Sequence, residues 1–157
     1  VSAYSIGSIV RGFSVGLVTL IVSEIFYYVS LGQFLPIQHP LLFFVYLAMG
    51  GLSFGFLGIL VGFWAKNFEH VNAIGGFVLL PLIYLGGVFY SLENLHPFWK
   101  TVSRINPLLY FVNGVRFSVL GRSDVPFDQS LYVSLLSAII LYALAARSVK
   151  KGSYQKW

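Results

Sequence analysis

Few side chains in this sequence could do chemistry, and those that could are scattered. The histidines His39, His70 and His96 lie far apart and fall between apolar runs. There is no H-E-x-x-H pair, no G-x-S-x-G nucleophile turn and no GxxxxGK[ST] phosphate loop. The chain has no cysteine, which removes disulfides, thiolate metal sites and cysteine nucleophiles. Aromatic and basic residues are present but form no nucleic-acid module. What remains is charge in apolar surroundings. Glu24 sits inside an apolar run, where a carboxylate costs at least ~2.5 kcal/mol on insertion scales and so faces protein or water. It is either a coupling or substrate-pathway residue, or a side chain near its helix end that reaches the interface beside Tyr27 and Tyr28. Arg116 sits in the apolar stretch 107–120. Either it snorkels to the interface by its long stem, or it pairs with an available carboxylate, Glu93, Asp124 or Asp128.

The elements that must hold these residues follow from composition. Of 157 residues, 57% are hydrophobic and 10% charged, and the mean hydropathy is +0.82. Soluble domains carry about 25% charged residues, and a chain this short cannot bury so much apolar surface in one core. Disorder needs low hydrophobicity and is excluded too. An all-α integral membrane protein is the remaining class. A spanning helix needs about 20 apolar residues. Residues 40–65, 71–92 and 129–146 carry no charge, and 12–31 carries only Glu24. Four spans are expected, at about 12–31, 41–64, 71–90 and 130–146. Aromatic pairs such as Phe63-Trp64, Phe89-Tyr90 and Phe98-Trp99 crowd the edges, as in an interfacial belt.

Residues 91–129 are different. They hold Lys100, Arg104, Arg116 and Arg122 around an apolar core. The stretch from Pro107 to Leu120 is too short to span, with Pro107 placed to open a helix and Gly121 to end it. A re-entrant helical hairpin over about 91–121 is expected. Orientation comes from basic residues. Arg11, Lys66, Arg147, Lys150, Lys151 and Lys156 share one side, which makes both termini cytoplasmic. The absence of an initiator methionine and of a signal pattern reads as an internal portion of a longer chain. Within the spans, Gly51, Gly55, Gly58 and Gly62 share one helix face and are expected to pack against another helix. Pro81 removes a backbone hydrogen bond and should kink the third helix. Gly86-Gly87 follows it, which suits either a moving gate or close packing.

From Pro81 onward the pattern becomes specific. Pro81-Leu82-Ile83-Tyr84-Leu85-Gly86-Gly87-Val88-Phe89-Tyr90-Ser91-Leu92 precedes Pro97-Phe98-Trp99. Asn106-Pro107-Leu108-Leu109-Tyr110 then leads to Arg116. This resembles the signature region of type-2 ATP-binding-cassette (ABC) transporter permeases, the membrane subunits of bacterial drug and polysaccharide exporters, and the likeness extends over nearly the whole chain. The resemblance implies a six-helix, multi-pass permease of the bacterial inner membrane, of which these spans are the last four. It implies a pair of permeases, likewise a separate ABC ATPase subunit that uses the ATP, and no cofactor or covalent chemistry on this chain. It also singles out Pro81, Gly86, Gly87, Tyr90, Asn106, Pro107, Tyr110 and Arg116 as signature or gate residues. A non-transporting helical membrane scaffold or assembly protein is the alternative, and an intramembrane enzyme a distant third.

Overall fold

The computed structural model describes residues 2–150. Lys151 and Lys156, counted above for orientation, lie outside the described residues. Every regular element among the described residues is helical. Helix α1 runs Ser2–Leu31. It starts ten residues before the expected boundary, because Val1–Val10 holds no proline and Arg11 is a good helix former. Helix α2 is Pro40–Trp64, with Pro40 in its first turn, where the missing N–H is not needed. Helix α7 is Phe127–Lys150, with Asp128 in its first turn and Arg147 and Lys150 in its last, each matched to the helix dipole. These three, the first counted from Val10, are long and apolar enough to cross a bilayer.

Over the expected span at 71–90 the helix differs in extent. The apolar helix there is shorter, Phe68–Tyr84. It is made of α3, Phe68–Ile74, a π turn, Gly75–Leu79, and α4, Leu80–Tyr84. The π turn ends two residues before Pro81, with the Leu80 N–H reaching back five residues to the Gly75 carbonyl. A widened turn is one of the recognised causes of helix bending, and it lies where the proline ring would crowd the preceding turn. The helix ends at Tyr84 rather than at residue 90: Leu85 caps it at φ −85°, ψ 0°, and Gly87 then takes a left-handed φ of 74°. A charge-free window does not register such a stop.

Past this stop the chain forms a short 3-10 turn, Leu92–Asn94, then α5, Pro97–Ile105, and α6, Pro107–Leu120. Helix α1 lies against α2, α2 also packs on α6 and α7, and α6 packs on α7. The burial pattern is inverted relative to a soluble domain. Asn113, Ser103, Ser118, Ser130 and Ser134 are fully or almost fully buried, whereas Val18, Ile21, Val22, Ile25 and Val29 along α1 are exposed. Lipid tails are as apolar as these side chains, so helices associate through small and polar residues instead.

Candidate functional site

Helix α6 is the post around which the signature residues gather. At its lower end Asn106 is the N-cap: its Oδ1 accepts the Leu108 N–H at 3.0 Å. Its Nδ2 donates to the Leu82 carbonyl at 2.7 Å, a group left over by the ending of α4. One side chain thus satisfies an orphan donor and an orphan acceptor at two helix ends. Pro107 occupies the first turn, where it displaces no hydrogen bond. At the other end Gly121 takes a left-handed φ of 67° as the cap. The Ser118 and Val119 carbonyls accept the His39 and Gln38 N–H groups at 2.8 and 3.2 Å.

The segment 82–92 climbs alongside α6. Gly86 and Gly87 make this approach possible. A Cβ on Gly86 would stand 2.9 Å from the Leu82 carbonyl oxygen and 3.1 Å from the Leu108 side chain, and one on Gly87 would meet Leu109 at 2.9 Å. Level with the upper half of α6, Arg116 Nη2 donates to the Gly87 carbonyl at 2.6 Å and Nη1 to Asp124 Oδ2 at 2.8 Å. Asp124 also accepts Ser91 Oγ at 2.7 Å and the Leu92 N–H at 3.0 Å. Its own N–H donates to Asn113 Oδ1 at 2.7 Å, and Asn113 Nδ2 donates to the Leu109 carbonyl. Three pieces of chain, 87–92, α6 and the 121–126 loop, are therefore joined through one ion pair. Arg116 and Asp124 are 24% and 12% exposed. Burial pushes the Asp124 carboxyl up, but the Ser91 and Leu92 hydrogen bonds and the Arg116 charge together hold it below the usual 3.8.

The remaining signature residues brace the descending limb. Tyr90 and Ser103 share a hydroxyl contact at 3.4 Å, and Tyr110 Oη donates to the Arg104 carbonyl at 2.8 Å. The Tyr110 carbonyl accepts Ser130 Oγ at 2.6 Å, and Ser130 Oγ accepts the Tyr46 hydroxyl at 3.3 Å, which ties α6 to α7 and α2. Tyr46 fits because Gly114 faces it; a Cβ there would overlap its ring.

Gly86, Gly87, Tyr90, Asn106, Pro107, Tyr110 and Arg116 are thus brought together, while Pro81 stands apart on the exposed side of α4. Glu24 is separate as well. Its carboxylate accepts the Leu35 N–H at 3.2 Å through both oxygens, so it fastens the turn after α1. The glycine face is only partly a packing face. A Cβ on Gly12 of α1 would touch Gly51 Cα at 3.4 Å, yet Gly62 has nothing within 4 Å. Gly51 and Gly55 instead border an open groove of about 980 Å³ between α1, α2 and α6, with Arg11 at one end and Ser23 near the other. Sequence reasoning missed Asn113, Ser91 and Ser130. A buried asparagine three residues before Arg116, one helical turn away in an apolar helix, was the available signal for the first.

This polar cluster fixes a broken stretch of backbone between the long apolar helices. Residues 1–120 match the family described as ABC-2 type transporter. The chain belongs to this family, and is a multi-pass inner-membrane chain. It is 34% identical over 154 residues to the inner membrane transport permease YadH of Escherichia coli (strain K12), covering 97% of this chain and 57% of that protein. It is 28% identical over 99 residues to Nodulation protein J of Neorhizobium galegae, and 28% identical over 105 residues to that of Rhizobium meliloti (strain 1021). These matches cover 63% and 67% of this chain, and 36% and 40% of the relatives. The chain therefore spans little more than half the length of the first relative. No solved structure matches.

Proposed function

We propose that this chain is the C-terminal part of the membrane subunit of an ATP-driven exporter. Two permeases pair to form the pathway, and a separate ABC ATPase supplies the energy. The cargo is a drug, lipid or glycan. Both termini are cytoplasmic, and the 32–39 turn and the top of the hairpin face outward. The observation that carries this reading is the pinned hairpin in a chain of the ABC-2 family. An irregular backbone stretch at membrane depth is tolerated only against protein or a wet cavity, and a transport pathway supplies such a cavity. Nucleotide binding by the ATPase then shifts the pair between two arrangements that bind cargo differently, as a coupled switch requires.

The test is coexpression of the full-length permease with a neighbouring ABC ATPase. The expected result is a stable complex whose ATP hydrolysis differs from that of the free ATPase. A folded permease that neither retains the ATPase nor alters its turnover would favour the scaffold alternative.

A further inference from the structure

Helix α5 carries its charges where a bilayer does not accept them. Depth follows from α6, whose top is hydrogen-bonded to His39 and Gln38 at the head of α2. Its 14 residues rise about 21 Å. Its foot, Asn106, therefore lies beyond the midplane of a hydrocarbon layer about 30 Å thick. Asn106 shares a small cavity of about 130 Å³ with Ser53 and Leu57, which are well down α2. Since Leu92 is level with Asp124 at the top, α5 must descend to reach Asn106. Arg104 stands two residues before that lowest point.

The two faces of α5 differ. At 100° per residue, Phe98, Trp99 and Ile105 gather on one side, and Lys100 and Arg104, four residues apart, on the opposite side. Phe98, Trp99 and Ile105 are exposed, which suits lipid. Arg104 is exposed as well. Among the described residues neither Lys100 nor Arg104 has an ion pair, and neither side chain has a hydrogen bond. Cations at this depth face a bundle interior or a water-filled cavity and mark a ligand or ion path. Snorkelling does not lift Arg104 across a whole leaflet.

We propose that the Lys100–Arg104 face of α5 lines the aqueous transport pathway and receives an anionic group of the cargo, a phosphate or carboxylate. This rests on the exporter reading above and adds to it a cargo chemistry. The planar guanidinium fork of Arg104 suits a two-oxygen anion, and Lys100 one turn above adds a point charge.

The test uses a cysteine at Thr101, which is exposed at the edge of the cationic face, flanking Arg104. The full-length permease, with any other cysteine replaced, is reconstituted with its ATPase in phosphatidylcholine vesicles. Two membrane-impermeant thiol reagents are compared, an anionic sulfonate and a cationic trimethylammonium, each normalised to its rate with a free thiol. The expected result is ~10-fold faster labelling by the anionic reagent, the size that a basic cleft confers on an anion. In a Lys100→Gln/Arg104→Gln background the preference should vanish while labelling persists. Protection by phosphatidylglycerol added to the vesicles would assign the anion to a lipid-like cargo. Protection by inorganic phosphate would assign it to a soluble one. Labelling with no charge preference would overturn the anion site and leave the pathway standing. No labelling by either reagent, with or without ATP, would show the face to be covered and overturn the proposal, whereas loss of ATPase coupling would instead count against the exporter reading.

Discussion

Replacing Asp124 should loosen the hairpin in a way that depends on Arg116. Three donors converge on the Asp124 carboxylate: Ser91 Oγ, the Leu92 N–H and Arg116 Nη1. Removing one partner of a buried pair costs about 3–5 kcal/mol. Here Arg116 keeps its 2.6 Å bond to Gly87 and is a quarter exposed. Asp124→Ala should therefore cost about 2–4 kcal/mol, at or below that range because of this residual solvation. Asp124→Asn keeps an acceptor for Arg116 and Leu92, and its amide can donate to Ser91 Oγ. It forfeits only the charge assistance, about 1–2 kcal/mol. The assay is unfolding of the full-length permease in mixed micelles by SDS titration, with a double-mutant cycle of Arg116→Gln and Asp124→Asn. A coupling of about 1–2 kcal/mol is expected; additivity within about 0.5 kcal/mol would refute the pairing argument. The pH dependence follows from the lowered Asp124 carboxyl. A group whose folded value is depressed contributes above its unfolded value and loses that contribution as pH falls through the folded one. The advantage of wild type over Asp124→Asn should be flat from pH 8 to about 5 and shrink only below about 4.

Asn106→Ala should cost about 1–3 kcal/mol in the same titration, since it strands both the Leu108 N–H and the Leu82 carbonyl; a neutral effect would show that water replaces both. Gly87→Ala should be destabilising by at least about 1–2 kcal/mol, from the left-handed backbone alone, and Gly114→Ala should weaken packing against Tyr46. Along α2, Gly51→Leu should lower the yield of folded protein while Gly62→Leu leaves it unchanged; equal losses would restore a continuous packing face. A cysteine at Gln33 should react with an impermeant reagent in intact cells and one at Asn67 only after permeabilisation; the reverse pattern would invert the topology.

The long apolar helices were legible where charge bounds an apolar run, as at Pro40–Trp64. They were not legible where the backbone itself stops the helix. One helix stops at Tyr84 inside an uncharged window that continues to Leu92, and only the backbone angles of Leu85 and Gly87 reveal it. Helix α6 was readable from Pro107 and Gly121, since a first-turn proline and a terminal glycine bracket it by local chemistry. The partner of Arg116 was narrowed to three carboxylates, but the choice of Asp124 depends on Gly121 turning the chain back over α6. The glycine periodicity correctly gathers four residues on one face. It does not record that α1 meets this face at Gly51 and leaves Gly62 open. Glu24 looked costly by depth, yet the turn at Leu35 supplies its donor.

Export by reconstituted vesicles decides whether the hairpin belongs to an ATP-driven pathway. Full-length permease and its ATPase, wild type or Asp124→Ala, are placed in vesicles and offered labelled amphiphilic drugs, lipids and glycans with and without ATP. ATP-dependent movement of at least one class is expected, strongly reduced by Asp124→Ala at equal protein level. Movement that proceeds equally without ATP, or is untouched when the ion pair is broken, would contradict such a pathway.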